Sequence, residues 1–292
     1  MTLPGAPDPA ERDRPPALVR GSRLGIGTEG TRALLIAAVS TVLVFGVLGL
    51  VVVNAPGWTR FSQSFLNWPV FVESLPKIIG KFWANVQLFA IAEALILVFG
   101  LVLAVLRSLP GPAAFPLRLL ATIYTDVFRA LPGLLVIYVL GFGIPALRIQ
   151  GLPKEPMVYG ILALTLIYSA YVSEVYRAGI ESVHPSQEAA ARSLGLSRWQ
   201  ALRYVILPQA VRRVIPPLLN DFIGLQKDTV LVSSIGLVEI FRQTQVIQAA
   251  KFNFTPYLAT GLVFLVVTIP LARFTDWLLK REQGRRSAGA AR

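Results

Sequence analysis

From Ala33 to Thr59 the sequence contains no charged side chain. A helix needs roughly 20 consecutive, mostly apolar residues to cross the hydrocarbon core of a bilayer, and this run exceeds that length. A secretory signal peptide is the alternative, but its apolar region has about 7–15 residues and ends at a small-residue cleavage site. Because this run is longer and begins further into the chain, it predicts an additional N-terminal transmembrane helix, which we place at residues 33–55.

Further apolar blocks follow the first one. They predict membrane spans at about residues 82–106, 119–146, 157–183 and 252–280. A weaker apolar stretch at residues 205–240 holds prolines and charged side chains, which is typical of an interrupted membrane segment. Residues 60–79 are mixed and aromatic, which predicts an interfacial segment outside the bilayer. We therefore expect an all-α, polytopic transmembrane helical bundle of about six spans.

The placement of charge supports this class and predicts the topology. Charged residues make up 15% of the chain, against about 25% in a soluble domain. The net charge of +12 would suit a nucleic-acid binder, but the basic residues lie between the apolar blocks. With the N-terminus inside, 19 Lys and Arg residues fall on the cytoplasmic side and seven outside. We expect both termini in the cytoplasm, residues 1–32 as a flexible tail, residues 282–292 as a C-terminal tail, and no nucleic-acid partner.

The longest basic loop, at residues 184–206, has the signals of two short helices. Pro185 suits a first helical turn, and the helix formers of QEAAARSL follow it. Gly195 can close this helix in the left-handed conformation, and Ser197 with Gln200 predicts a capping box for the next one. Three functions suit such a pair: a DNA-binding helix-turn-helix, an amphipathic interfacial pair, or a socket for a cytoplasmic partner. Its position between two membrane segments favours the socket.

The stretch QEAAARSLGLSRWQALRYVILPQA resembles the EAA loop of the binding-protein-dependent ABC permeases, the membrane subunits of ABC importers. Three further stretches resemble the polar amino acid branch of these permeases, and the resemblance covers about residues 80–281. They are YVSEVYRAGIESVHPSQEAA, DVFRALPGLLVIY and LLNDFIGLQKDTVLVSSIG. Departures occur at Ala130 and Leu131, where the family has Gly and Thr, and also at Ser186 and Gln226. They weaken the transfer of an exact substrate and leave the fold assignment intact.

The resemblance implies a type I ABC importer permease in the bacterial cytoplasmic membrane that translocates a polar amino acid. The implied partners are a cytoplasmic ABC ATPase, an extracytoplasmic amino-acid-binding protein, a second permease copy in a homo- or heterodimer, and membrane lipid. The loop would couple ATPase closure to the transmembrane helices. The expected coupling residues are Glu188, Ala189, Ala190, Arg192, Gly195 and Ser197. The sequence has no phosphate-binding G-x-x-x-x-G-K-[ST] motif, so we expect no catalytic site and ATP hydrolysis in a partner.

Ionisable residues within the predicted spans are candidates for the transport pathway, because charges near the bilayer core are costly. The candidates are Glu93, Arg129, Glu174, Lys227 and Asp228. Several have a structural alternative: Arg129 with Asp126, and Glu174 with Arg177, have the i, i+3 spacing of a helical ion pair. Lys227 and Asp228 either line the pathway at the break in the fifth segment or form a salt bridge that holds it.

Other functions remain open on the sequence alone. A secondary transporter would use the intramembrane carboxylates for proton coupling, but the structured loop has no role in it. A membrane-embedded enzyme would need paired catalytic groups, which the sequence does not offer. With one histidine, His184, and no cysteine we expect no metal site and no cofactor. Neighbouring genes for an ATPase and a secreted binding protein would favour the importer over a secondary transporter.

Overall fold

The computed structural model describes residues 28–290, and every regular element in this range is helical. Twelve α-helices are joined by short 3-10 and π-helical turns. Their bounds are α1 Thr28–Val53, α2 Trp58–Phe65, α3 Trp68–Arg107, α4 Phe115–Ala130, α5 Gly133–Tyr138, α6 Ile144–Ala146, α7 Pro156–Glu181, α8 Pro185–Ser193, α9 Arg198–Ala201, α10 Leu207–Asp228, α11 Ile240–Lys251 and α12 Thr255–Ala290. Four helices are long and apolar enough to cross a membrane, or six spans result if each of two bent pairs counts as one.

The helix α1 belongs to a compact unit of its own, which ends at Phe61. It begins at Thr28, five residues before the predicted start, and its 26 residues have a length of about 39 Å. The apolar side chains from Leu34 to Val53 are exposed, as lipid-facing side chains are. Most of the predicted N-terminal tail, residues 1–27, lies outside the described residues.

The helix α3 is the longest element of the second unit, which begins at Ser62. Its 40 residues correspond to about 60 Å, twice the hydrocarbon thickness of a bilayer. The side chain of Asn67 caps its start by accepting a hydrogen bond from Val70 N at 3.2 Å. Residues 60–79, predicted as an interfacial segment, form the end of α2 and the first part of α3, which runs without interruption into the span. A proline in the first turn starts this helix without disrupting it.

The predicted span at residues 119–146 is not one continuous helix but a bent pair of helical segments. The chain bends by 106° between Pro112–Ala130 and Gly133–Ala146. Leu131 is extended, with ψ of 137°, and Pro132 follows it with no N–H to donate. A proline disfavours the helical conformation of the residue before it, so α4 ends at Ala130 and a new helix begins at Gly133.

The helix α7 is central in the bundle and packs on α3 and α10. Glycines allow close approach: a Cβ on Gly179 would lie 2.0 Å from Cγ1 of Val214 on α10, and a Cβ on Gly160 would lie 2.4 Å from Cγ1 of Val232 in the turn after α10. Small residues at helix contacts are typical of membrane bundles, where backbones must approach for dispersion contacts. The main core around α7 includes the buried side chains of Leu88, Leu164 and Leu225.

The fifth membrane segment is interrupted where the sequence predicts a break. The helix α10 ends at Asp228, a 3-10 turn runs from Thr229 to Ile235, and Gly236 has φ of +94°. The arms Arg198–Ile235 and Ile240–Lys251 are bent by 52°. The last helix, α12, continues to Ala290 through most of the expected C-terminal tail, and residues 291–292 lie outside the described range.

Candidate functional site

The loop between α7 and α10 begins with a capped helix. His184 precedes α8, and its Nδ1 accepts a hydrogen bond from Ser186 N at 3.2 Å. Pro185 occupies the first turn, as predicted, where a missing N–H costs nothing. The imidazole is exposed and satisfies one of the free N–H groups at the helix start.

The end of α8 has the geometry of a Schellman motif. Gly195 has φ of +86°, its N–H donates to Arg192 O at 3.0 Å, and Leu196 N donates to Ala191 O at 3.2 Å. This pair of bonds satisfies carbonyl groups at the helix end and requires a left-handed residue, which glycine supplies at no steric cost. The predicted helix end at Gly195 is therefore confirmed in its geometry.

The second helix of the loop starts at the predicted capping box. Ser197 N donates to Gln200 Oε1 at 2.8 Å, and Gln200 N donates to Ser197 Oγ at 3.3 Å. This helix does not end at residue 206, because α9 continues through a π-helical turn into α10. Glu188 and Arg192 have the i, i+4 spacing of a helical ion pair, but no salt bridge joins them in the described chain. Glu188 Oε1 instead lies 3.6 Å from Nε of Arg198, the first residue of α9.

Small and apolar side chains of this loop are exposed together. Ala189 and Ala190 are exposed, Leu194 is 84% exposed and Trp199 is 66% exposed. Ala191 and Ala201 are buried, so they pack the loop from its other side. We call Ala189, Ala190, Leu194 and Trp199 the coupling surface. Exposed apolar patches of this kind mark interaction sites.

Glu174 is the centre of a cluster that joins three helices. Its Oε1 accepts from Arg107 at 2.7 Å and from Arg129 at 3.3 Å, and its Oε2 accepts from Arg177 at 2.7 Å. Arg177 also binds Glu181 at 2.7 Å. The side chains of Arg107 and Glu174 are 11% and 18% exposed, so this charge pair is largely removed from solvent. We call these five residues the Glu174 cluster.

The cluster resolves the two helical alternatives for intramembrane charge. The i, i+3 pair of Glu174 and Arg177 is present. Arg129 bonds to Glu174 on α7 and has no ion pair with the exposed Asp126 in the described chain. Tyr171 donates a further hydrogen bond to Arg129 O at 3.4 Å. Arg129 lies just before the break at Leu131, so the cluster fixes the end of α4 against α7.

A second polar node lies within the bundle. Asn85 Nδ2 donates to Glu239 Oε2 at 2.9 Å and to Thr229 Oγ1 at 3.1 Å, and Asn85 Oδ1 accepts from Ile240 N at 3.2 Å. Glu239 is fully buried and caps α11 by accepting from Arg242 N at 2.7 Å. Asn85 thus ties α3 to both sides of the break between α10 and α11.

We expect Asn85→Ala to lower the free energy of unfolding by about 2 kcal/mol, because buried partners are left unsatisfied. Thermal unfolding of the purified protein in nanodiscs measures the effect. Gln87→Ala is the matched control, since Gln87 is an exposed amide on the same helix. Equal shifts for the two variants would contradict the role given to the node.

The remaining candidate charges do not form one site. Asp228 Oδ2 accepts from Tyr168 Oη at 2.8 Å, while Lys227 is exposed and has no ion pair with any residue that the structure describes. The salt bridge considered for Lys227 and Asp228 is therefore absent. Glu93 is half-buried and lies within electrostatic range of Asp221 on α10, whose Oδ2 is buried and unpaired.

A cavity of about 860 Å³ lies between α5, the 3-10 turn after α10, α11 and α12. Its wall is mostly aliphatic and aromatic, with Tyr138 and Phe142 on one side and Phe241 and Tyr257 on another. Arg242, Gln245, Thr260 and two serines add polar groups. Sequence reasoning did not identify Arg242, because a charge at the edge of a broken segment cannot be assigned to a cavity without the fold. Between residues 31 and 281 no three His, Cys, Asp or Glu side chains are grouped to hold a metal ion.

Comparison with known families agrees with this arrangement of interrupted helices around an exposed loop. Residues 96–283 match the family described as "binding-protein-dependent transport system inner membrane component". The chain belongs to this family. The permease is accordingly a multi-pass protein of the cytoplasmic membrane, a transport subunit that carries no ATPase domain.

Individual relatives cover the same part of the permease. A probable glutamine ABC transporter permease of Bacillus subtilis (strain 168) is 34% identical, over 74% of this chain and 98% of the relative. A glutamate/aspartate import permease of Escherichia coli O6:H1 is 30% identical, over 74% and 97%. The crystal structure of an amino acid ABC transporter with histidines matches with a TM-score of 0.66 and 32% identity, over 72% of this chain and 96% of that one.

Proposed function

We propose that the permease is the membrane subunit of an ATP-driven importer that translocates a polar amino acid. The names of relatives at 30–34% identity support this class, since they are glutamine and glutamate/aspartate permeases. The observation that carries the proposal is the coupling surface, a rigidly capped apolar patch between two membrane helices. A secondary transporter has no use for such a surface.

In this proposal the coupling surface sits on a cytoplasmic ATPase and moves when the ATPase dimer closes. Glu188, Ala189 and Ala190 belong to the helix that docks, while Gly195 and Ser197 hold the corner that sets its angle. Only three residues separate α8 from α7, and α9 continues into α10. A displacement of α8 is therefore transmitted to α7 and to α10. Arg192 is exposed on the last turn of α8, where it is free to pair with an acidic group of the ATPase.

The remaining partners follow from the same proposal. An extracytoplasmic binding protein delivers the amino acid, and a second permease copy completes the route, as a homo- or heterodimer. Both termini lie in the cytoplasm, which the excess of basic residues in the loops on that side supports. Of the candidate charges, the partly buried Glu93 and Asp228 lie within the bundle near the route, and Lys227 is an exposed neighbour of Asp228.

The test is uptake of radiolabelled L-glutamine, L-glutamate, L-histidine and L-arginine into proteoliposomes that hold the permease with the ATPase and binding protein encoded beside it. We expect uptake of at least one of them that requires enclosed ATP and both partners. Uptake that needs a proton gradient and proceeds without the ATPase would overturn the proposal in favour of a secondary transporter.

A further inference from the structure

Arg242 is the one charged side chain among the sixteen described residues that line the 860 Å³ cavity. Its guanidinium donates one hydrogen bond, from Nη1 to Gln245 Oε1 at 3.1 Å. No carboxylate of a described residue lies within 4 Å of it, so none of its five N–H donors has an acidic partner in the described chain. The cavity therefore presents one unpaired positive charge to whatever enters it.

The position of Arg242 is not one that helix stability favours. It lies in the first turn of α11, where the helix dipole is positive and a cation is repelled. The carboxylate that caps this helix, Glu239, is fully buried and is already bonded to Asn85 and to the backbone of the first turn. Arg242 thus lies at an unfavourable position for a cation, with the neutral amide of Gln245 as its hydrogen-bond partner. This arrangement suits the binding of an anionic group from outside the chain.

We infer that this cavity binds a free amino acid and that Arg242 holds its α-carboxylate. The inference rests on the proposed function and names the group of the substrate that the membrane domain recognises. A guanidinium matches a carboxylate through two parallel hydrogen bonds, and the exposed side chain of Arg242 is accessible to such a partner. The volume lies within the range of about 300–1,000 Å³ that is usual for sites of small molecules.

The rest of the wall suits the other half of an amino acid. Phe241 and Tyr257 form an edge-to-face pair with ring centroids 5.7 Å apart, next to Arg242. Aromatic faces attract an ammonium group, so these rings offer a partner for the substrate's amine without a competing carboxylate in the wall. Ser233 and Ser234 add hydroxyl groups at the 3-10 turn. Recognition of the shared backbone of amino acids, with an apolar wall for the side chain, predicts a membrane site of broad side-chain tolerance.

Binding to the full-length permease in nanodiscs of phosphatidylethanolamine and phosphatidylglycerol, without the binding protein, tests the inference. Saturation-transfer NMR compares L-glutamine with L-glutaminamide and L-arginine with L-argininamide, since each amide lacks only the carboxylate. We expect the wild type to bind at least one acid ten- to hundredfold more tightly than its amide. Arg242→Gln should lose this preference, Arg242→Lys should keep part of it, and Arg148→Gln, an exposed arginine outside this cavity, should keep all of it.

Three results would overturn the inference. The first is that Arg242→Gln binds the acid as tightly as the wild type does. Binding by Arg242→Lys, which keeps the positive charge, checks that a substitution at this position leaves the protein folded. The second is wild type binding none of the four probes, or acid and amide equally. The third is an effect of Arg242→Gln that disappears in nanodiscs of zwitterionic lipid alone, which would make the anionic headgroup of phosphatidylglycerol the partner of Arg242. Assembly of the same nanodiscs with the ATPase tests the proposed function separately.

Discussion

Replacing Gly195 with valine is expected to lower ATP-driven uptake by more than tenfold while the membrane bundle stays folded. Gly195 has φ of +86°, and a Cβ added there meets no atom within 4 Å, so the substitution acts on the backbone alone. A β-branched side chain costs about 1–2 kcal/mol in this region of backbone space. The Schellman motif would be lost, and α8 would no longer present the coupling surface at its native angle. Uptake and thermal unfolding, measured on the same preparation, separate coupling from folding.

Gly111→Val is the matched control for this experiment. Gly111 has φ of +84°, also has open space around its Cβ, and lies in the loop 107–118 that is predicted to face the same side as Gly195. Both variants should shift the unfolding temperature by similar amounts, and only Gly195→Val should lose ATPase stimulation. Equal loss of uptake in the two variants would show that the corner of the loop has no special part in coupling.

Glu174→Gln is expected to lower the free energy of unfolding by about 3 kcal/mol, because it leaves buried arginine charge without compensation. Arg107 is 11% exposed and its carboxylate partner in the described chain is Glu174. The charge of Arg107 is therefore the one that is left buried without a partner. The loss should also release Arg129, and with it the end of α4 beside the break at Leu131. We therefore expect uptake to fall together with the unfolding temperature.

Glu181→Gln removes the other carboxylate of the Glu174 cluster and is the matched control. Its side chain is 61% exposed, and an exposed ion pair contributes under about 1 kcal/mol. A double-mutant cycle with Arg107→Gln measures the coupling energy directly. If the double variant Arg107→Gln, Glu174→Gln is as unstable as the sum of the single ones, the two side chains do not act as a pair.

The loop could be predicted from sequence because its signals are local. Pro185, Gly195, Ser197 and Gln200 each act through backbone geometry within a few residues, and each is found in its predicted place. The spans were predictable from composition in the same way. The bend at Pro132 was missed because hydropathy averages over a window, although the proline itself was visible.

The polar clusters could not be predicted, since they depend on which helices become neighbours. Arg107 and Glu174 are 67 residues apart in the chain, and Asn85 and Glu239 are 154 apart. Spacing along one helix suggested Asp126 as the partner of Arg129, but the partner across the helix contact is better placed. The acidic partner of a buried cation is chosen by packing, which a single sequence does not encode in any local pattern.

Glu174, the residue that anchors α7 to α3 and α4, lies much closer to the coupling-surface end of α7 than to its other end. Seven residues separate Glu174 from the end beside the coupling surface, about 10 Å, and eighteen separate it from Pro156 at the other end, about 27 Å. Arg107 on α3 and Arg129 on α4 hold α7 at Glu174. If α7 tilts about this point as a rigid rod, a movement of Glu181 by about 1 Å moves Pro156 by about 2.6 Å. In the proposed function, a small displacement of the cytoplasmic end of α7 is therefore enlarged at Pro156, at the opposite end of the helix.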